Sequence, residues 1–178
     1  MLLKLLKKVC NALEERDISY MLSGSIAMNT YTVPRMTRDI DIIINLRLSD
    51  ISRFAEIFKE GYYIHEDGIK EEVRRRGMFN VIDYESGQKI DFILRKNTEF
   101  HLHEFERKVR TDAYGFDVWI VSIEDLIISK LNWIQQLQSD TQINDIKNLL
   151  ENPDLDRTYL KDWIGQLHLN TFNLLDDA

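Results

Sequence analysis

The chain has 178 residues, is 44% hydrophobic and 30% charged, and carries a formal net charge of −7. That length suits one domain with its own core, and no apolar run approaches the ~18 residues that a bilayer-spanning helix needs. The acidic balance argues against a broad duplex-binding face, which works by counterion release to basic side chains, and the lone cysteine, Cys10, excludes an internal disulfide and fits a reducing cytoplasm.

The opening stretch, Met1-Leu2-Leu3-Lys4-Leu5-Leu6-Lys7-Lys8, interleaves lysines with leucines and lacks a small-residue cleavage site. It reads as the start of an amphipathic helix over 2–16, not as an export signal. Leu3, Leu6, Val9, Cys10 and Leu13 supply its apolar face. A short apolar run, Ile18 to Leu22, predicts a buried strand. Ser23-Gly24-Ser25 is a turn, with either serine able to cap a helix through Thr30. Pro34 ends that helix in a loop. Asp39 to Asn45 (DIDIIIN) is β-branched and predicts a second strand. Ser49 to Lys59 is helical. Tyr62 to His65 is a short strand candidate, and Lys70 to Arg76 is too charged for a core element.

Two strands, Met78 to Tyr84 and Lys89 to Leu94, flank the hairpin signal Glu85-Ser86-Gly87-Gln88. A helix over 99–107 follows. A second hairpin joins 108–111 to 116–121 across Ala113-Tyr114-Gly115. From Ser122 the period becomes helical throughout. Ser122-Ile123-Glu124-Asp125 has the form of a capping box before a helix to about Gln138. Two more helices, over 141–150 and from Asp156 to about Leu167, precede a fraying end over 170–178. The expected fold is therefore α+β: a mixed sheet flanked by helices over 1–121, then a helical segment over 122–178 packed on it.

Asp39 and Asp41 lie two apart on one strand, so both side chains share a face, roughly 6.6 Å apart along the chain. Adjacent bare carboxylates repel, and a cation such as Mg²⁺ relieves that cost. D-x-D pairs also occur as solvated charges at strand edges. Asp91 is an acid inside another apolar strand and needs a partner. If the two strands are neighbours, three carboxylates converge, enough for a two-metal phosphoryl-transfer site. Gly24-Ser25 lets a backbone turn approach a phosphate closely, although an ordinary strand-to-helix turn reads the same way. Pro34 stiffens the approach of Arg35, which is expected near phosphate. Arg38 is open to pairing with Asp39 or Asp41.

Other features read as structural. His65, His101, His103 and His168 form no trusted metal spacing, and Glu99, Glu104 and Glu106 mark the second and third of these as surface. Trp119, Trp133 and Trp163 are expected in the core. Arg74-Arg75-Arg76 is a solvated basic run, or a contact for an RNA or protein acceptor.

The pattern Gly24-Ser25, then Pro34-Arg35-Met36-Thr37-Arg38-Asp39-Ile40-Asp41, with Asp91 in a later strand, resembles the nucleotidyltransferase superfamily. It is most similar to its minimal and abortive-infection type II toxin-like bacterial members. Thr32 stands where such chains usually have glycine. Glu124-Asp125-Leu126-Ile127, Lys130 and Asp145 resemble a weaker C-terminal element, with Gln142 and Asn144 departing from it. The resemblance covers about residues 18–150. It implies that Asp39, Asp41 and Asp91 bind Mg²⁺ or Mn²⁺, with Asp91 also orienting or deprotonating the acceptor. It implies that Gly24 and Ser25 hold the phosphates of a nucleoside triphosphate and that Lys130 touches triphosphate or base. The acceptor would be RNA, such as tRNA, or a protein hydroxyl, within a toxin–antitoxin pair in the cytoplasm and away from membranes. The alternative is a non-catalytic module that binds nucleotide or a partner on the same fold.

Overall fold

The computed structural model describes residues 2–175. Its strands form one seven-stranded sheet in the order β3-β4-β5-β2-β1-β7-β6. The strands are β1 (Tyr20–Leu22), β2 (Ile40–Ile44), β3 (Tyr62–Tyr63), β4 (Met78–Asp83), β5 (Lys89–Leu94), β6 (Val109–Ala113) and β7 (Phe116–Ile120). β2 runs parallel to β5 and antiparallel to β1, while β1 runs parallel to β7. The sheet is therefore mixed, and the expected α+β class holds.

The register places alternate residues on opposite faces. One face carries Ile42, Ile44, Phe92 and Phe79, with Phe79 paired to Phe92 across β4 and β5. Phe54 and Phe58 pack edge-on or tilted against this face, with ring centroids 5.0 to 5.6 Å from each other and from Phe92. Phe54 belongs to α3 (Ile51–Ala55), and Phe58 to the single 3₁₀ turn that follows. Each fully buried ring of this kind contributes about 1.5–3 kcal/mol. α1 (Leu2–Glu14) seals the same side, burying Leu5, Leu6, Val9, Cys10 and Leu13. Burial pushes the Cys10 thiol up to about 12, so it is an inert core residue.

The opposite face carries Asp41, Asp91, Ile43 and Ile93. Over it stand α5 (Glu99–Glu106) and α6 (Ile123–Ile134). α7 (Asp140–Leu150) and α8 (Arg157–Gln166) pack outside α6 and bury Ile146, Leu149, Leu150, Leu160 and Trp163. Ser122 caps α6 by accepting from the Asp125 N–H. Asp125 is fully buried and also receives Tyr159 Oη at 2.6 Å and Arg107 Nε at 3.3 Å. This satisfied cluster ties α6 to α8.

Several elements differ from the sequence reading. The charged stretch before β4 is a helix, α4 (Glu66–Arg75), capped by the His65 ring, with Glu66 and Asp67 in its first turn and Arg74 and Arg75 in its last. Those charges complement the helix dipole. Ile69 and Val73, four apart, are all it needs to bury. The helix after Ser23 is shorter than expected, α2 (Gly24–Met28), and neither serine makes a side-chain cap. α6 stops at Ile134. Trp133 is 63% exposed and not core. Near the end, Leu169, Phe172, Leu174 and Leu175 pack against the core, so fraying does not begin at 170. Residues 176–178 lie outside the described range.

Candidate active site

The β2–β5 register sets Asp41 directly beside Asp91. Asn80 of β4 is the next residue in the row. Asp91 is 7% exposed. Its Oδ2 meets the Lys89 ammonium at 2.8 Å, while its Oδ1 is buried with no hydrogen-bond partner. Asp41 is half-buried. Burial, then the charges of Asp91 and Asp39, raise its proton affinity above the ordinary carboxylate range, with Lys89 and Lys130 opposing. Asp39 precedes β2 and is exposed at the mouth.

Gly24 adopts φ +59°, and a Cβ there would lie 2.0 Å from Asp41 Oδ2. The Asp41 carboxylate thus lies against the bare backbone of the turn after β1. Ser23 N–H donates to the Asp41 carbonyl at 2.9 Å, fixing the turn to the strand. A Gly24→Ala change meets two penalties: left-handed backbone costs about 1–2 kcal/mol for a non-glycine residue, and the methyl displaces the carboxylate. The expected result is a lower melting temperature together with loss of any thermal shift on adding Mg²⁺ and nucleoside triphosphate, both read by calorimetry.

Ser25 is half-buried behind the turn and accepts from Arg35 Nη2 at 2.7 Å. Arg35 also donates from Nε and Nη2 to both oxygens of Asp145, at 3.0 and 2.9 Å. Lys130, buried on α6, donates to Asp145 Oδ2 at 2.8 Å and to Gln142 Oε1 at 3.1 Å. Burial alone would push the Asp145 carboxyl up, but hydrogen bonds from Arg35 and Lys130 outweigh it and hold it below its usual range. Arg35 and Lys130 therefore meet at Asp145, behind the turn. Arg38 is exposed and forms no ion pair among the described residues.

A cleft of ≈ 360 Å³ opens at Asp41, with Ser23, Gly24 and Asp41 at one end and Arg95 and Lys96 among its lining. Ile43 and Ile93 lie along the sheet side, and Phe100, His101, Glu104, Ser129, Lys130 and Trp133 on the helical side. Glu104 was expected at the surface; it is 1% exposed and receives Ser129 Oγ at 3.0 Å. Burial pushes it up to about 8, so it is mostly neutral at pH 7. A group raised in the folded state stabilises below its unfolded value and loses that contribution as pH rises through the folded one. Glu104→Gln should therefore gain stability relative to the parent as pH rises from about 4.5 to about 8. Parallel melts across that window check it; a constant gap would mean that Glu104 is ionised throughout. His101, expected at the surface, lies on the expected helix, α5, and burial with the nearby Lys96 charge lowers it to about 4.

The residues fit a divalent cation in part. Two adjacent acids, Asp91 with an orphaned buried oxygen and Asp41 with its proton affinity raised by burial and by its acidic neighbours, call for positive charge. Among the described residues no three acids converge closely enough to cage an ion alone. Mg²⁺ suits such a site, because it normally keeps water and substrate phosphate among its ligands.

The sequence reading singled out Asp39, Asp41, Asp91, Gly24, Ser25, Arg35 and Lys130. The structure gathers Gly24, Asp41 and Asp91 at one point, with Asp39 at its rim, and sets Ser25, Arg35 and Lys130 around Asp145. It adds Lys89 and Glu104. Lys89 sits two residues before Asp91, the same-face spacing of a strand, and that spacing was a usable signal. Glu104 lies four residues after Phe100, the same helical face.

No family model matches the chain, and no curated protein matches it in sequence. Solved structures do match in fold. ANT(2″)-Ia in complex with adenylyl-2″-tobramycin superposes with TM-score 0.64 at 13% identity, over 93% of this chain and 97% of that one. The lincosamide antibiotic adenylyltransferase LnuA, lincomycin-bound, gives 0.58 at 16% identity, over 83% and 96%. An antigenic nucleotidyltransferase-like protein from Paracoccidioides brasiliensis gives 0.57 at 16% identity, over 92% and 85%. The chain has the fold of the nucleotidyltransferases. No described helix is long and apolar enough to cross a membrane.

Proposed function

We propose that this chain is a Mg²⁺- or Mn²⁺-dependent nucleotidyltransferase. It moves a nucleoside monophosphate from a nucleoside triphosphate to an RNA or protein hydroxyl and releases pyrophosphate. One observation carries the reading: Asp41 lies against the Gly24 turn and is paired across β2 and β5 with Asp91, whose buried Oδ1 is left unpartnered. Asp39 and Asp41 would hold the metal with the triphosphate, and Asp91 would complete the set. A metal held there would supply charge neutralisation and Lewis acidity. Asp91 orients the acceptor hydroxyl and takes its proton as the new phosphorus–oxygen bond forms. Gly24 and Ser25 line the phosphate side. Arg35 and Lys130 act through Asp145, keeping Ser25 and the turn in place. The resemblance of the sequence pattern to toxin-like enzymes extends the proposal to a toxin–antitoxin pair in the cytoplasm.

A second reading has its own support. Lys89 already neutralises Asp91, and Arg35 and Lys130 are engaged by Asp145, an arrangement that suits nucleotide binding without turnover. Incubation with each α-labelled nucleoside triphosphate, Mg²⁺ and cell lysate separates the two. Label fixed to RNA or protein, and abolished by EDTA, supports transfer. Metal-dependent triphosphate binding with no label fixed to any acceptor favours the binding module and overturns the enzymatic reading.

A further inference from the structure

Resting on that reading of the Asp41 end of the cleft, we propose that the acceptor is a single-stranded RNA end, its upstream phosphates held by Arg95, Lys96 and Arg76. Arg95 lies four residues after Asp91, and the alternation of a strand gives the two the same face. At about 3.3 Å per residue they are separated by roughly 13 Å. An anion bound there belongs to the acceptor's chain upstream of the reacting hydroxyl, not to the reacting group.

The cluster has no described carboxylate in ion-pair contact. Among the described residues, Arg47, Arg76, Arg95 and Lys96 form no ion pair with a carboxylate. Arg76 is held against Arg95, its Nη1 donating to the Arg95 carbonyl at 3.5 Å. Arg95 donates from Nη2 to Asn97 at 3.2 Å, but its buried Nε has no partner. Burial and the charges of Arg76 and Arg47 pull Arg95 below the ordinary guanidinium range, with Glu106 offsetting in part. A guanidinium does not release its proton to relieve such crowding; an anion relieves it. This concentration of positive charge stands out in a chain of net charge −7.

The same cleft carries Trp133, 63% exposed, and the buried Phe100. An exposed indole in a groove that also presents unpaired arginine and lysine is the combination that binds single strands: aromatic faces stack bases and cations track phosphates. A polycationic small acceptor finds a poor match, since the helical wall's one carboxyl, Glu104, is buried and mostly neutral at pH 7.

The test measures binding of a fluorescent single-stranded oligoribonucleotide to the full chain across a salt series, with Mg²⁺–triphosphate affinity measured separately. Parent protein should bind the RNA and weaken as salt rises. The double variant Arg95→Gln/Lys96→Gln should bind at least about tenfold more weakly, with a salt slope smaller by roughly 1.4, because each lost phosphate contact on a single strand removes about 0.7. The single variants Lys96→Gln and Trp133→Ala, both at exposed positions, test the site if the double variant fails to fold. Triphosphate affinity should not change. Three results would overturn the inference: no RNA binding by the parent, equal binding by the folded variants, or displacement of the RNA by a 5′-mononucleotide as effectively as by the oligomer. Label transferred to protein, tobramycin or lincomycin in preference to RNA would overturn it also. Absent triphosphate binding beside intact RNA binding would instead count against the reading of the acidic end.

Discussion

Asp41→Asn should abolish nucleotidyl transfer while leaving the fold intact and slightly more stable at pH 7. Removing one preorganised electrostatic contact from a reacting centre costs about 10²–10³ in rate, and Asp41 is the acid that lies against the Gly24 turn and beside Asp91 on the neighbouring strand. The stability half follows from sign. Its carboxyl is raised by burial and by Asp91 and Asp39. The stabilisation tied to that raised value is present in acid and lost as pH climbs through it. The amide replaces one of the crowded carboxyls at nearly constant volume. Melts of both proteins should show the variant at least as stable at pH 7, with the difference closing toward acid. Mg²⁺ plus triphosphate should raise the parent's melting temperature by mass action and leave the variant's unmoved. A variant that transfers label at parental rates would dismiss the Asp41–Asp91 pair as the reacting centre.

The second large effect belongs to Asp145, which touches no expected substrate. Asp145→Ala leaves the Lys130 ammonium buried and the Arg35 guanidinium partly buried without their shared partner. The side chains of Lys130 and Asp145 are 8% and 3% exposed, and that of Arg35 36%. Breaking a buried pair from one side costs about 3–5 kcal/mol. The more open Arg35 recovers some of this through water, so the lower end applies. In a chain of this size that is a fall of roughly 6–12 °C in melting temperature. Asp145→Asn keeps an acceptor and should lose less. The pH profile has the opposite sense to that of Asp41. Asp145 is held below its usual range, so its contribution exists at neutral pH and disappears as pH falls through the folded value. Parent and Asp145→Asn should therefore converge in acid. Equal melting temperatures for parent and alanine variant would show that the network contributes nothing to folding.

Strands built from β-branched residues with an acid on alternate positions, as in 39–45 and 89–94, were readable from spacing alone. So was the glycine turn. The readable part ends where contacts skip far along the chain. Arg35 meets Asp145 across 110 positions, and nothing local to either residue announces the other. Helix α4 was hidden because two apolar residues in ten satisfy a helix that lies on the outside of the sheet. Glu104 was misjudged from its acidic neighbours, which point outward while it turns inward with Phe100. Trp133 was assigned by residue type, and type does not say which face of α6 it occupies.

The aromatic layer beneath β5 has one further consequence. Strand side chains alternate, so a slip of β5 by a single residue would carry Asp91 under the sheet and bring a phenyl ring up in its place. Phe92, wedged between Phe54, Phe58 and Phe79, forbids that slip. Alignment of the paired acids is thus enforced from below, and damage to that oily keel would silence the proposed chemistry without altering any group proposed to meet a substrate.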